Sequence, residues 1–190
     1  MNDAARLTIE SPSHLREWLA ENHGQGEAVW LVTYLKSAAR EKYVSRDEVL
    51  DELIAFGWID GRRMKLDDKR TMQLIAPRKV QHWAKSYKDR AQRLIDEGRM
   101  APPGLKSIDD GKASGLWNFM DDVDALIVPE DLRSALHDTP PAWDEWEALA
   151  PSVRRNTLRW VKLAKTDVTR AKRIAEAVGQ AAKGEKVAQM

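Results

Sequence analysis

The stretch FGWIDGRR, residues 56–63, decides how the first two thirds of this chain are read. Before it, Ser45 and Glu48 stand at capping-box spacing, and Val49, Leu50, Leu53 and Ile54 mark the buried stripe of a helix over 46–56. Gly57 suits the left-handed position that closes such a helix. WIDGRRMKL (58–66) then reads as a strand, DDK (67–69) as a turn, and RTMQLIA (70–76) as the returning arm of a hairpin. Upstream, AVWLVTYL (28–35) is β-branched and aromatic on both faces, as in a central strand. Ser11-Pro12 opens a short helix over 12–22.

Downstream, Pro77 stops the second arm and VQHWAKSYKDRAQRLIDE (80–97) has helical spacing, capped by Gly98. RMAPPG (99–104) reads as a turn. A weaker helix over 105–114 is interrupted by Gly111, which costs ~1 kcal/mol relative to Ala. The acidic shift and Pro129 place a domain boundary in 121–129, and helices are expected at roughly 129–137, 140–149, 151–164 and 167–182. The expectation is therefore an α+β fold. A small antiparallel sheet (a strand plus a hairpin) is covered by helices in a domain over 1–124. An all-helical module over 125–184 and a frayed tail over 185–190 follow.

The composition, 43% hydrophobic and 32% charged, is that of an ordinary globular protein. There is no cysteine, which excludes disulfides, thiolate nucleophiles and zinc-thiolate sites. No secretory signal and no stretch of membrane-spanning length is recognised, so a cytoplasmic location is expected. The net charge of +1 conceals patterning. Residues 57–93 carry eleven Lys/Arg against four Asp/Glu, 116–150 nine acids against Arg133, and 151–190 ten bases against three acids. Such alternation implies that the acidic segment faces basic ones, or that the basic surfaces meet an anion.

If the strand alternates regularly, Trp58, Asp60, Arg62, Met64 and Leu66 share one face, and Asp60 needs a partner such as Arg62 or Arg78. Gly61 marks a bulge or a close approach. Lys36, at the end of the first strand, and Arg78, His82 and Trp83, after the hairpin, join them as a candidate anion-binding cleft. An Arg fork suits carboxylate or phosphate, and an indole offers a flat surface. Against this stands the simpler reading that Asp60 clamps the hairpin and both tryptophans are core. A second candidate is the basic surface of 154–173, where Arg155, Arg159, Lys162, Arg170 and Arg173 recur at helical steps and nucleic acid would be the partner; a solvated face answering the acidic segment is the plainer alternative.

No catalytic, cofactor or metal motif is found. GxGxxG and HExxH are absent, and a phosphate-binding loop around Gly111-Lys112 would need glycine at 106, where Lys106 stands. An enzyme with Asp60 as base is the least supported reading.

FGWIDGRR (56–63), APRKVQHW (76–83) and LIDEGRMAPPGL (94–105) resemble the YdeI/OmpD-associated, or bacteriocin-protection, family. VWLVTYLKS (29–37) fits its first strand, and LAPSVRRNTLRWVKLAKTDVTRAKRI (149–174) its helical tail. The resemblance implies protection of bacteria against bacteriocins or antimicrobial peptides and a link to an outer-membrane porin, with no known catalytic mechanism. Taken with the cleft residues, the expectation is a non-enzymatic stress or protection protein that binds an anionic small molecule or protein. The family pattern has Ser and Asn where this chain has Ala84 and Tyr87.

Overall fold

The Ser45 hydroxyl accepts a bond from the Glu48 amide, and the Glu48 carboxylate accepts one from the Ser45 amide, so the capping box opens α2 (Arg46–Ala55). The helix closes at Gly57, whose φ is +72°. A methyl group there would lie 2.8 Å from the Pro103 carbonyl oxygen, so both the dihedral and the packing require glycine. In a computed structural model the chain is described over residues 5–185. It divides after Asn118 into two compact units.

The first unit carries a four-stranded sheet in the order β1-β2-β4-β3, built from β1 (Arg6–Thr8), β2 (Val29–Tyr34), β3 (Trp58–Lys65) and β4 (Arg70–Pro77). The hairpin and β2 pair antiparallel, while β1, a three-residue strand too short to leave a periodic signal, adds parallel to β2. Val29 and Leu31 face α1 (Pro12–Asn22), α2, α3 (Lys85–Asp96) and α4 (Pro102–Ala113) in the main core, whereas Trp30 and Val32 pack with Met72 on the other face.

Two helix starts differ from the expectation. The expected helix over 80–97 begins at Lys85, because the Trp83 amide donates to the Leu116 carbonyl and residues 79–84 run irregularly. Conversely, α4 begins at Pro102, inside the expected turn, since prolines are tolerated in a first helical turn where no amide donor is needed. Gly111 also finds its reason: a methyl group there would sit 2.6 Å from the Trp83 indole nitrogen.

The second unit is all helical, with α5 (Asp121–Asp124), α6 (Glu130–His137), α7 (Ala142–Ala148), α8 (Pro151–Lys162) and α9 (Asp167–Ala181) around Leu132, Leu136, Trp146, Leu158 and Val161. The expected tail at 185–190 lies, apart from Glu185, outside the described residues. Among the described residues no helix is long and apolar enough to cross a membrane.

Candidate functional site

The β3 strand does not alternate regularly. Asp60 pairs with Ile75 and Arg63 with Gln73, so Gly61 and Arg62 together oppose Leu74 in a bulge. A methyl group on Gly61 would lie 3.2 Å from the Leu74 carbonyl oxygen. The extra residue turns the strand over. Trp58 and Asp60 face the helices, while the Arg62 guanidinium lies 5.7 Å from the Trp30 ring on the opposite face. Asp60 and Arg62 are therefore not neighbours on one face, and the expected pairing between them does not form.

Asp60, with 8% of its side chain exposed, takes other partners. One carboxylate oxygen accepts the Tyr87 hydroxyl; the other accepts Gln73 Nε2 at 2.9 Å and lies 3.7 Å from the Arg46 guanidinium. Both oxygens are thus engaged by donors, so the carboxylate is fixed in place by side chains of β4, α3 and the start of α2. Tyr87, on α3, is the residue that clasps this carboxylate. Burial first, then the bond to Asp60 and its charge, push the Tyr87 phenol up to about 12.

Arg78 sits on the other side of Tyr87. Its guanidinium stacks 4.1 Å from the Trp83 ring centre and 5.4 Å from that of Tyr87, and Nη1 donates to the Gln81 and His82 carbonyls at 3.2 and 3.4 Å. Among the described residues it has no ion-pair partner. Burial pulls its pKa down to about 10, with Tyr87 and Asp60 pulling the other way. Trp83 is 1% exposed, so its indole is a platform for Arg78 rather than for a ligand. Trp58 is equally buried and donates its indole N–H to the His23 carbonyl at 3.1 Å.

A hollow of about 180 Å³ opens where Arg78 and Trp83 meet α4. Gly57 and Pro77 belong to its wall, with Lys79 and Gln81 on one side and Lys106 and Ser107 on the other. Lys106 is held by Asp110 at 2.7 Å, whereas Arg78 and Lys79 have no carboxylate partner among the described residues. The sequence reading missed the α4 wall. Its signal was the four-residue step through Pro103, Ser107 and Gly111.

Lys36 lies elsewhere. Tyr34 pairs with Arg70 at the start of β4, whereas Arg78 follows its end, so Lys36 leaves the sheet at the far end, roughly 25 Å away along the strand. Its amine lies 5.9 Å from the Tyr43 ring. His82 supplies a carbonyl to Arg78 and does not line the hollow.

A charged cluster that the sequence reading did not single out lies on α2. Asp51 and Glu52 are 7% and 4% exposed, inside the apolar stripe. Arg90 and Arg93 bind Asp51, Arg16 binds Glu52, and Arg99 reaches both carboxylates. Although burial opposes it, the bonds from Arg90 and Arg93 leave the Asp51 carboxyl below its ordinary range. The acid pair in the middle of a helix and the arginines at 90, 93 and 99 were the available signal.

In the second unit, Arg155 lies 3.7 Å from Asp124, Lys162 2.5 Å from Asp122 and Arg170 2.6 Å from Asp131. Arg173 donates to the Trp160 carbonyl, and Arg159 borders a small apolar patch with Trp160 and Leu163. The acidic segment does face the basic helices. Among the described residues no set of acids and histidines could hold a metal.

The chain is thus an α+β module with a cationic hollow, followed by a helical bundle. It belongs to the family described as domain of unknown function DUF8412, whose model matches residues 7–107, more than half the chain. Residues 125–184 align with the family described as bacteriocin-protection, YdeI or OmpD-associated. That alignment covers the helical unit, so the hairpin motifs resembling the same family fall instead within the first match. No curated protein and no solved structure matches the chain.

Proposed function

We propose that this protein is a non-enzymatic protection protein whose first unit binds a small anion in the hollow beside Arg78. One observation carries the reading: a largely buried guanidinium, without an ion-pair partner among the described residues, borders a hollow it shares with Lys79. A buried cation lacking a counter-charge is costly, and an anion there would repay its desolvation. Trp83 and two backbone carbonyls fix the guanidinium plane, so the fork is preorganised for carboxylate or phosphate. The hollow of about 180 Å³ suits a group the size of a phosphate or a short dicarboxylate. The protective role is supported by the alignment of residues 125–184 with the bacteriocin-protection family.

The test is calorimetric titration of the full chain with inorganic phosphate and with short dicarboxylates. Binding is expected in wild type, about tenfold weaker in Arg78→Lys, which keeps the charge but not the fork, and weakened several-fold in Lys79→Ala. Affinity should fall as pH rises through about 10, where Arg78 loses its proton. Absence of binding by either anion class, or full binding in Arg78→Lys and Lys79→Ala alike, overturns the reading.

A further inference from the structure

A groove of about 850 Å³ runs along α6 and α9 in the second unit. Ala171, Ala175 and Gly179 recur at four-residue steps on α9 and are exposed. Together with Ala135 on α6 and Val178 they form an apolar furrow. A furrow that follows an i, i+4 row is shaped for the side-chain ridge of another helix.

The rim is acidic at both ends. Asp131 and Asp167 stand at one end with Arg170, which is bound to Asp131; Asp138 stands at the other. Each end therefore keeps one net negative charge. Asp138 has no ion pair among the described residues. Asp131 on α6 and Asp138, the cap residue that follows its last turn, are seven residues apart, a rise of roughly 10 Å.

We propose that this groove docks a cationic amphipathic helix of a partner protein. The matching segment carries Lys or Arg at two positions seven residues apart, opposite the two acidic ends, with apolar residues at the intervening i+3 and i+4 positions that enter the furrow. Charge complementarity selects this occupant. An acidic helix or an anionic lipid surface would meet like charge at both ends.

The test uses the full chain and a labelled helical peptide of about 15 residues. It carries Lys seven residues apart and Leu at i+3 and i+4, and is compared with a permuted peptide of the same composition. The patterned peptide is expected to bind at least about tenfold more tightly, and less tightly as salt rises. Asp138→Lys should weaken it about fivefold. Lys at a helix C-terminus is also favourable to folding, so a folding defect would not mimic the result. Ala175→Arg, at an exposed position, should remove binding by filling the furrow, with an unchanged circular dichroism spectrum. Equal binding of the two peptides, no binding of either, or wild-type affinity in both variants overturns the proposal. So does sedimentation showing a dimer that Ala175→Arg dissolves, since a second copy would then be the occupant.

Discussion

Glu52 in the first unit and Asp131 in the second are both bound by arginine, yet the two pairs do different work. Glu52 has 5% of its side chain exposed and is paired with Arg16 and Arg99 in place of water; Asp131 has 48% exposed and would be solvated without Arg170. The glycines repeat the contrast. A methyl group on Gly104 of α4 would fall 2.2 Å from the Ala55 carbonyl oxygen, whereas one on Gly179 of α9 meets nothing within 4 Å. Both units have an apolar core; the first adds buried charge and backbone-to-backbone approach, the second ion pairs at its rim. The anion site proposed above lies in the first kind of structure, and the proposed docking groove in the second.

The largest expected effect breaks the buried end of this comparison. Arg16→Ala combined with Arg99→Ala leaves the Glu52 carboxylate buried and unpaired, at a cost of about 3–5 kcal/mol. Denaturant unfolding of the first unit should report it, and a loss under about 1 kcal/mol would mean that water reaches Glu52. The same cluster sets an acid limit. The folded Asp51 carboxyl lies below its ordinary value, so its contribution is complete above about pH 4 and is lost as pH falls through the lower folded value.

Next is Gly104→Ala. The obstacle is the Ala55 backbone and the Met100 sulfur, 2.5 Å from the added methyl, so α4 must move off α2 at a cost of about 3 kcal/mol. Because α4 is one wall of the hollow, anion binding should fall with stability. Retained binding would separate the hollow from that packing.

The elements were legible in the sequence where local chemistry decides them. Ser45 with Glu48, Gly57, Pro151 and the DDK turn between the hairpin arms all mark observed boundaries. What escaped reading depends on the third dimension. The bulge at Gly61 reverses the face of Arg62, and one inserted residue is invisible to a period-two pattern. Lys36 and Arg78 fall at opposite ends because strand direction follows from pairing, which no local signal specifies. Tyr87 is one position in a helical run, and that its hydroxyl meets Asp60, 27 residues earlier in the chain, depends on how α3 packs on the sheet. Of the expected cleft, Arg78 and Trp83 come together at the hollow, with Asp60 behind them across Tyr87.

That arrangement gives a smaller effect. Asp60→Asn removes the charge that helps hold the Tyr87 phenol near 12, at a cost of about 1–2 kcal/mol through two weakened bonds. The folded phenol pKa exceeds its ordinary value of about 10, so this contribution is present below pH 10 and is lost as pH rises through about 12. Phenolate absorbance, assigned by its loss in Tyr87→Phe, should move to lower pH in Asp60→Asn. An unmoved titration would leave burial as the whole cause.

The smallest effect tests the open end of the comparison, and its sign is the point. Gly179→Ala places a methyl group in free space on a regular helix, replacing the residue with the greatest backbone freedom in the unfolded chain. Thermal unfolding should show a gain of about 0.5–1 kcal/mol, against a loss for the same change at Gly104. Gly179 borders the groove, so the added methyl also narrows the furrow, and the patterned peptide should bind somewhat more weakly to a more stable protein. A loss of stability at Gly179 would show α9 as closely packed as α4, and the two units would then be alike in construction.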